Sequence, residues 1–398
     1  MKMKEIIINK DKEKLTIVLT ENGLIIEKYT EIENQKRNEG NIYLGKVQNV
    51  LQGMQAAFID IGEGKNTFIR LKDALPKVDE KKNNVQEIMD NVNIKDIVKT
   101  STPILVQVKR DATNQKGARV STHISIPSRY LILMPDAEFI TISQKIENEQ
   151  ERERLLNLVK EILPEGYGAI IRTSAENKKD DEIKKDVLKS INKWEKIKDE
   201  SIIEDKVPRR VYKSPDLIHK FILDVIDNDI DKIHVNNLSY FDSVKEILKE
   251  YEKDNIEVLF KEDENLLKMY DIETQLEKCN NRKIWLKCGG FITIDSTEAL
   301  TAIDVNSGKF VGSKDIEQTM FTVNKEASIE IAKQLRLRDI GGIVIIDFID
   351  MKDEENKKKI IQVLEENLKK DRSKTQVIGF TKLNLLEMTR KHMCSNEI

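Results

Sequence analysis

The stretch that most constrains the fold lies in the last quarter of the chain, where apolar runs close on aspartates. Gly290–Ser307 reads GFITIDSTEALTAIDVNS, two short β-rich runs ending at Asp304-Val305-Asn306, and Gly341–Asp350 reads GGIVIIDFID, an unbroken run ending at Asp347. Between them, Asp315–Arg338 repeats Ile316, Met320, Val323, Ala327, Ile331 and Leu335 at helical spacing. Strand, crossover helix and strand place both strand ends at one edge of a sheet. Two carboxylates and the Asn306 carboxamide then converge where oxygen ligands suit Mg²⁺ or Mn²⁺, the arrangement of a metal-assisted nuclease. Taken singly, an aspartate at a strand end is more often a turn former or a helix cap. The pair with Asn306 is harder to explain that way, because unpaired acids gathered at one edge are costly unless neutralised. Asp350 is the weakest member and reads as the cap of the following helix.

A chain of 398 residues suggests two to four domains. Its 67 basic and 70 acidic residues leave a net charge of −3, so nucleic-acid contact has to come from local basic patches. No apolar stretch approaches the ~20 residues of a membrane span, and the opening MKMKEIIINKDKEKLTIVL is too charged for a secretory signal. Cys279, Cys288 and Cys394 form no C-x-x-C pair, so neither a disulfide framework nor an intrachain zinc site is expected, and a reducing cytoplasm is the natural compartment. His123, His219, His234 and His392 are scattered and read as structural or surface residues.

Along the chain, Glu5–Ile8, Leu15–Leu19 and Leu24–Glu27 read as strands, with Asn22-Gly23 a hairpin turn and Glu31–Gly40 a linker. From Asn41 the texture is that of a small β-barrel: Ile42–Val50, Met54–Ile61, Thr67–Leu71 and Ile104–Lys109, interrupted by a polar insert, Pro76–Thr100, with one weakly helical piece. Phe58 and Phe68 either stack unpaired bases or fill the core, and on the residues alone the core is the better reading. Lys109, Arg110, Lys116 and Arg119 suit a phosphate backbone, or equally a solvated loop. Strands follow at Pro127–Pro135 and Gly168–Thr173, with charged helices at Asn148–Leu163 and Asp180–Lys198, the latter anchored by Trp194. Arg172-Thr173 stand where GAIIRT runs out; a guanidinium and a hydroxyl there can clasp a phosphate, a weak signal on spacing alone. The α/β block Pro215–Cys279 alternates helix and strand, ending in a helix Glu264–Asn280. It is expected to pair with the N-terminal strands, a hairpin too small to stand alone. A helix Glu354–Lys369, a strand Thr375–Phe380 and a last helix Leu383–His392 complete the expectation.

With these residues in view, the chain resembles the ribonuclease E/G family. The resemblance rests on GGFITIDSTEALTAIDVNSGKF, EASIEIAKQLRLRDIGGIVIIDFIDM and LNLLEMTRK, and extends through GNIYLGKVQNVLQGMQAAFIDIGEGKNTFIRL, QKGARVSTHISIPSRYLILMP and LPEGYGAIIRTSA. It covers nearly the whole chain in collinear order. It implies an α/β and β multi-subdomain fold: an RNase H-like subdomain from residues 1–37 and 215–280, and an S1 (OB-type) RNA-binding barrel at 38–125 with its insert at 76–100. A 5′-sensor at 126–214 and a DNase I-like catalytic subdomain at 281–398 complete it. It further implies Asp304 and Asp347 as metal ligands, Asn306 as their polar support, and a pocket for the RNA 5′ phosphate at Arg172 and Thr173 walled by Ser128 and Ile132. RNA contacts would fall on Phe58, Phe68 and Lys116, which reverses the unaided reading of the phenylalanines.

The implied activity is Mg²⁺-dependent (Mn²⁺ also suits) endonucleolytic cleavage of single-stranded, A/U-rich RNA. It would prefer 5′-monophosphate ends, leave 5′-phosphate and 3′-hydroxyl products, and serve rRNA processing and mRNA decay. The chain ends at Ile398 with a solitary Cys394 where many family members continue into a zinc-link and small domain. A short form is therefore expected, with zinc unlikely and any homodimer lacking a shared Cys–zinc link. The rivals are a non-catalytic S1-domain RNA-binding factor and a metal-dependent nuclease acting on DNA.

Overall fold

A computed structural model describes residues 3–32, 37–75, 91–112, 117–202, 206–226, 229–262, 264–308 and 316–392. The chain divides into two compact units, one from residues 1–34 and 228–396, the other from 35–227.

In the first unit, Lys4–Asp11, Lys14–Glu21 and Leu24–Ile32 form an antiparallel meander, and Lys4–Asp11 also pairs in parallel with Lys232–Val235, which in turn pairs with Glu257–Phe260. The turn at Asn22-Gly23 has positive φ at both residues (52° and 75°), the conformation that lets a two-residue hairpin follow the strand twist. The expected helix over Glu264–Asn280 is two pieces, Leu266–Met269 and Ile272–Asn280, because Asp271 between them sits at φ 55°, outside the helical region.

The second sheet of this unit has six strands in the spatial order Lys283–Trp285, Phe291–Ser296, Leu300–Asn306, Gly342–Asp347, Leu385–Arg390, Thr375–Phe380. Helices Ile316–Leu337 and Glu354–Leu368 bury Val323, Ala327, Ile331, Leu335, Ile360 and Leu364 against one face, on Ile292, Ile303, Val344, Ile346 and Leu386. Ile316 overhangs that core at 71% exposure. Strand alternation leaves the other face to solvent. The expected helix over Leu383–His392 is instead the strand Leu385–Arg390. Leu386, Met388 and Arg390 are buried in period two, and the strand pairs on both sides, so backbone pairing and burial override the helical preference of Leu, Glu and Met.

In the second unit, Ile42–Leu51, Ala56–Asp60, Thr67–Arg70, Arg119–Ser121 and Pro103–Arg110 pair in a ring that closes where Pro103–Arg110 returns to Ile42–Leu51, a five-stranded OB-like barrel. Tyr43, Val47, Ile59, Ile69, Val106, Val108 and Val120 fill it. Of the expected insert, only residues 91–100 are described, with one helical turn at Ile94–Ile97. A four-stranded sheet follows, covered by helices Glu149–Ile162 and Asp180–Ile202, with Trp194 in its core. The expected strand Pro127–Pro135 is two, Ile126–Pro127 and Leu131–Pro135, joined by a turn in which Ser128 N donates to Leu131 O (2.8 Å).

Candidate active site

Strand register decides the geometry of the acidic pair. Leu300–Asn306 and Gly342–Asp347 run parallel, joined through the helix Ile316–Leu337, with Asp304 directly opposite Asp347. Their neighbours Ile303 and Ile346 point into the core, so both aspartates stand on the solvent face. Asn306, two residues on and on the same face, donates from Nδ2 to Asp304 Oδ2 at 2.5 Å. Partial desolvation, and then the like charges of Asp304 and Asp350, push the Asp347 carboxyl above its ordinary value. Hard oxygen donors that repel one another fit a divalent cation. Among the described residues no group of three His, Cys, Asp or Glu side chains gathers to hold a metal.

Asp350 does not cap the next helix. Asp353 does, accepting from Glu355 N at 2.9 Å. Asp350 instead accepts from Asn384 Nδ2 (3.1 Å), and Asn384 Oδ1 accepts from Lys357 Nζ (2.9 Å). Asn384 lies at φ 62° in the turn before Leu385–Arg390, a conformation asparagine tolerates better than most residues. Behind the site, fully buried Asn324 clasps the chain just past Asp347: its Nδ2 donates to Ile349 O (2.8 Å) and its Oδ1 accepts from Ile349 N (3.0 Å). Sequence reasoning passed over Lys357, Asn384 and Asn324. The one available signal was an amide at a helical position, Asn324, on the stripe that also carries the apolar core residues Val323, Ala327 and Ile331.

In the second unit, Arg172 follows the strand Tyr167–Ile171. Its Nη1 donates to Ser128 O (3.0 Å) and its Nη2 is ion-paired with Asp224. Thr173, next along, shares a hydroxyl–hydroxyl hydrogen bond with Ser143 (2.9 Å). Ser128 meets Arg172 through its backbone, because its buried hydroxyl is turned to Asp186 (2.7 Å). Half-buried Ile132 pairs across the sheet with Ile170 and Pro127. Asp224 and Ser143 had no sequence signal, since each lies far along the chain from Arg172.

On the barrel, Phe58 and Phe68 stand opposite each other on adjacent strands, ring centroids 5.8 Å apart and both half-buried. Ile59 and Ile69 alternate with them into the core, so the rings lie on the outer surface rather than inside. The Arg70 guanidinium lies 6.0 Å from the Phe68 ring, and Phe68 borders a cleft of about 480 Å³ with Met54, Arg70, Leu71 and Lys72. Lys116 lies outside the described residues. Arg119 is held by Asp73 in a two-pronged pair (2.9 and 2.8 Å), and Lys109 bonds Gln107 and Ser125, so structural partners engage two of the basic residues expected to meet phosphate.

The chain thus carries an OB-like barrel in one unit and an acidic strand-end pair with an amide beside it in the other. Residues 125–393 match the model of the Ribonuclease E/G family. The chain is 37% identical over 392 residues to ribonuclease G of Salmonella typhimurium, covering 97% of this chain and 79% of that one. It is 37% identical over 391 residues to ribonuclease G of Haemophilus influenzae, with the same coverage. To ribonuclease E of Synechocystis it is 33% identical over 363 residues, 90% of this chain and 52% of that one. The chain belongs to the ribonuclease E/G family.

Proposed function

We propose that this chain is a divalent-metal-dependent endoribonuclease that cuts single-stranded RNA, and that Asp304, Asp347 and Asn306 form its catalytic site. The observation that carries the reading is the register of Asp304 against Asp347 on adjacent parallel strand ends, beside Asn306, in a chain of this family. Asp304 and Asp347 would hold Mg²⁺, with Mn²⁺ an acceptable substitute for the same oxygen donors. When bound, the cation supplies Lewis acidity, drawing charge from the scissile phosphate and acidifying water. The protein's part is orientation. Asn306 fixes the Asp304 carboxylate through its Nδ2 hydrogen bond and keeps its own oxygen as an acceptor for the attacking water. Breakage of the bond to the 3′-oxygen leaves 5′-phosphate and 3′-hydroxyl ends.

The same reading assigns Arg172 and Thr173, with Ser128 and Ile132 beside them, to the 5′ phosphate of the RNA, with monophosphate preferred. Phe58 and Phe68, with Lys116, would stack and hold unpaired bases. It takes the first unit as RNase H-like and DNase I-like subdomains, the substrate as A/U-rich, and the role as rRNA processing and mRNA decay in the cytoplasm. Among the described residues no helix is long and apolar enough to cross a membrane.

The test is cleavage of an A/U-rich single-stranded oligoribonucleotide bearing a 5′-monophosphate, with Mg²⁺ or EDTA, by the wild type and Asp304→Asn. Internal cuts that need metal and vanish in the variant support the reading. RNA bound but left whole in every lane replaces it with a non-catalytic RNA-binding factor.

A further inference from the structure

The solvent face that carries Asp304 and Asn306 continues outward over two more strands. Side chains paired in antiparallel register share a face. Phe291 pairs with Asn306 and Thr293 with Asp304; on the edge strand, Trp285 pairs with Phe291 and Lys283 with Thr293. The alternate residues Ile292, Ile294, Ile303 and Val305 are buried below, so this row is the outer one. Trp285 is 58% exposed although an indole strongly favours cover. Its ring meets Phe291 edge-on with centroids 5.3 Å apart, and Lys283 Nζ lies 4.2 Å from the Trp285 ring and 3.6 Å from the Phe291 ring.

An exposed indole on a half-buried phenyl ring with an ammonium against both is what unpaired nucleic acid uses: bases stack on the rings while the cation meets phosphate. Strands lie about 4.8 Å apart, so Phe291 lies one strand from Asn306 and Trp285 two strands, about 10 Å, from it. We infer that Trp285, Phe291 and Lys283 form a stacking subsite for an unpaired base of the RNA next to the bond that is cut. The subsite lies on the catalytic unit itself and is distinct from the Phe58–Phe68 pair of the barrel. The inference rests on the reading of Asp304 and Asp347 as the cutting site. Its partner is RNA rather than another protein because the aromatic row is continuous with that site and carries a cation.

The chain has two tryptophans, and Trp194 is buried at 5% exposure, so exposed Trp285 dominates any response of indole fluorescence to a ligand at the surface. The full chain is titrated in EDTA with a short single-stranded A/U-rich RNA carrying a 5′-hydroxyl. The expected result is saturable quenching, with affinity lowered about 5- to 150-fold in Trp285→Ala and largely kept in Trp285→Phe. Lys283→Gln should flatten the salt dependence of binding. Unquenched Trp285 at saturating RNA, or a Trp285→Ala chain that binds as the wild type does, overturns the subsite. So does an altered oligomeric state of Trp285→Ala in sedimentation with RNA affinity unchanged, which assigns the row to a second copy of the chain. If Trp285→Ala unfolds, the wild-type quenching still decides. Cleavage by Asp304→Asn tests the underlying reading separately: a variant that still cuts sinks the catalytic assignment, whereas a dead variant alongside normal binding by Trp285→Ala sinks only the subsite.

Discussion

Replacing Asp347 by asparagine keeps the size of the side chain and removes its charge. Asp347 stands at a strand end facing solvent, opposed by Asp304 and felt by Asp350, so its carboxylate adds repulsion to the fold rather than cohesion. Asp347→Asn should therefore lower the single-turnover cleavage rate by about 10²-fold or more, the scale of losing several kcal/mol of metal-assisted stabilisation. Its melting temperature in EDTA should match or exceed that of the wild type; a parallel loss of stability would mean that Asp347 is structural. A second single-residue expectation concerns Asp224, whose carboxylate occupies the Arg172 guanidinium. A phosphate arriving there meets a donor already engaged and a like charge beside it. Asp224→Asn should tighten binding of 5′-monophosphate RNA by about tenfold, the scale of one charge-assisted hydrogen bond, and leave 5′-hydroxyl RNA unchanged. Weakening as large as that of Arg172→Ala would show that Asp224 orients the guanidinium instead.

At the scale of elements, the strand-end geometry depends on the helix behind it. Asn324 satisfies both backbone groups of Ile349 from inside the core, so Asn324→Ala leaves a part-buried N–H and C=O without this partner. The expected loss is about 1–3 kcal/mol in denaturant unfolding, together with lower activity, because the chain leaving Asp347 is no longer held. Unchanged stability would show that water replaces the clasp. In the other unit, Glu151 in the first turn of Glu149–Ile162 accepts from Arg154 (2.8 and 2.7 Å) and from Asn177 N (2.8 Å). The Arg154 hydrogen bonds hold its carboxyl below the ordinary glutamate value. A depressed carboxyl stabilises the fold fully above its unfolded value, near 4.3, and that contribution is lost as pH falls through the lowered folded value. Glu151→Gln should thus melt earlier than the wild type at pH 7, with the gap closing on acidification. A gap that is constant across pH would rule out the ion pair as its origin.

At the scale of the whole molecule, residues 35–227 form a contiguous compact unit that holds the OB-like barrel, whereas the acidic pair belongs to the unit built from both ends of the chain. A 35–227 fragment should unfold cooperatively and bind single-stranded RNA with a marked salt dependence, yet cut none at any Mg²⁺ concentration. Cutting by that fragment would move the active site away from Asp304 and Asp347. Binding no RNA would remove the barrel from substrate recognition.

Much of this was legible before the fold. Parallel strands joined by a crossover helix, the two aspartates and Asn306 follow from local hydrophobic period and from motifs a few residues long, and family membership follows from the same residues. Local pattern determines which residues can form an element and which way each side chain alternates. It does not determine what lies opposite. The pairing of Asp304 with Asp347 to the residue, the turn of Leu385–Arg390 from helix to strand, the Asn324 clasp, the Asp224–Arg172 pair and the aromatic row from Trp285 to Asn306 each join positions separated along the chain. Such contacts are set by sheet register and burial, free-energy terms that come into being only when distant segments meet, and the tertiary structure alone decides them.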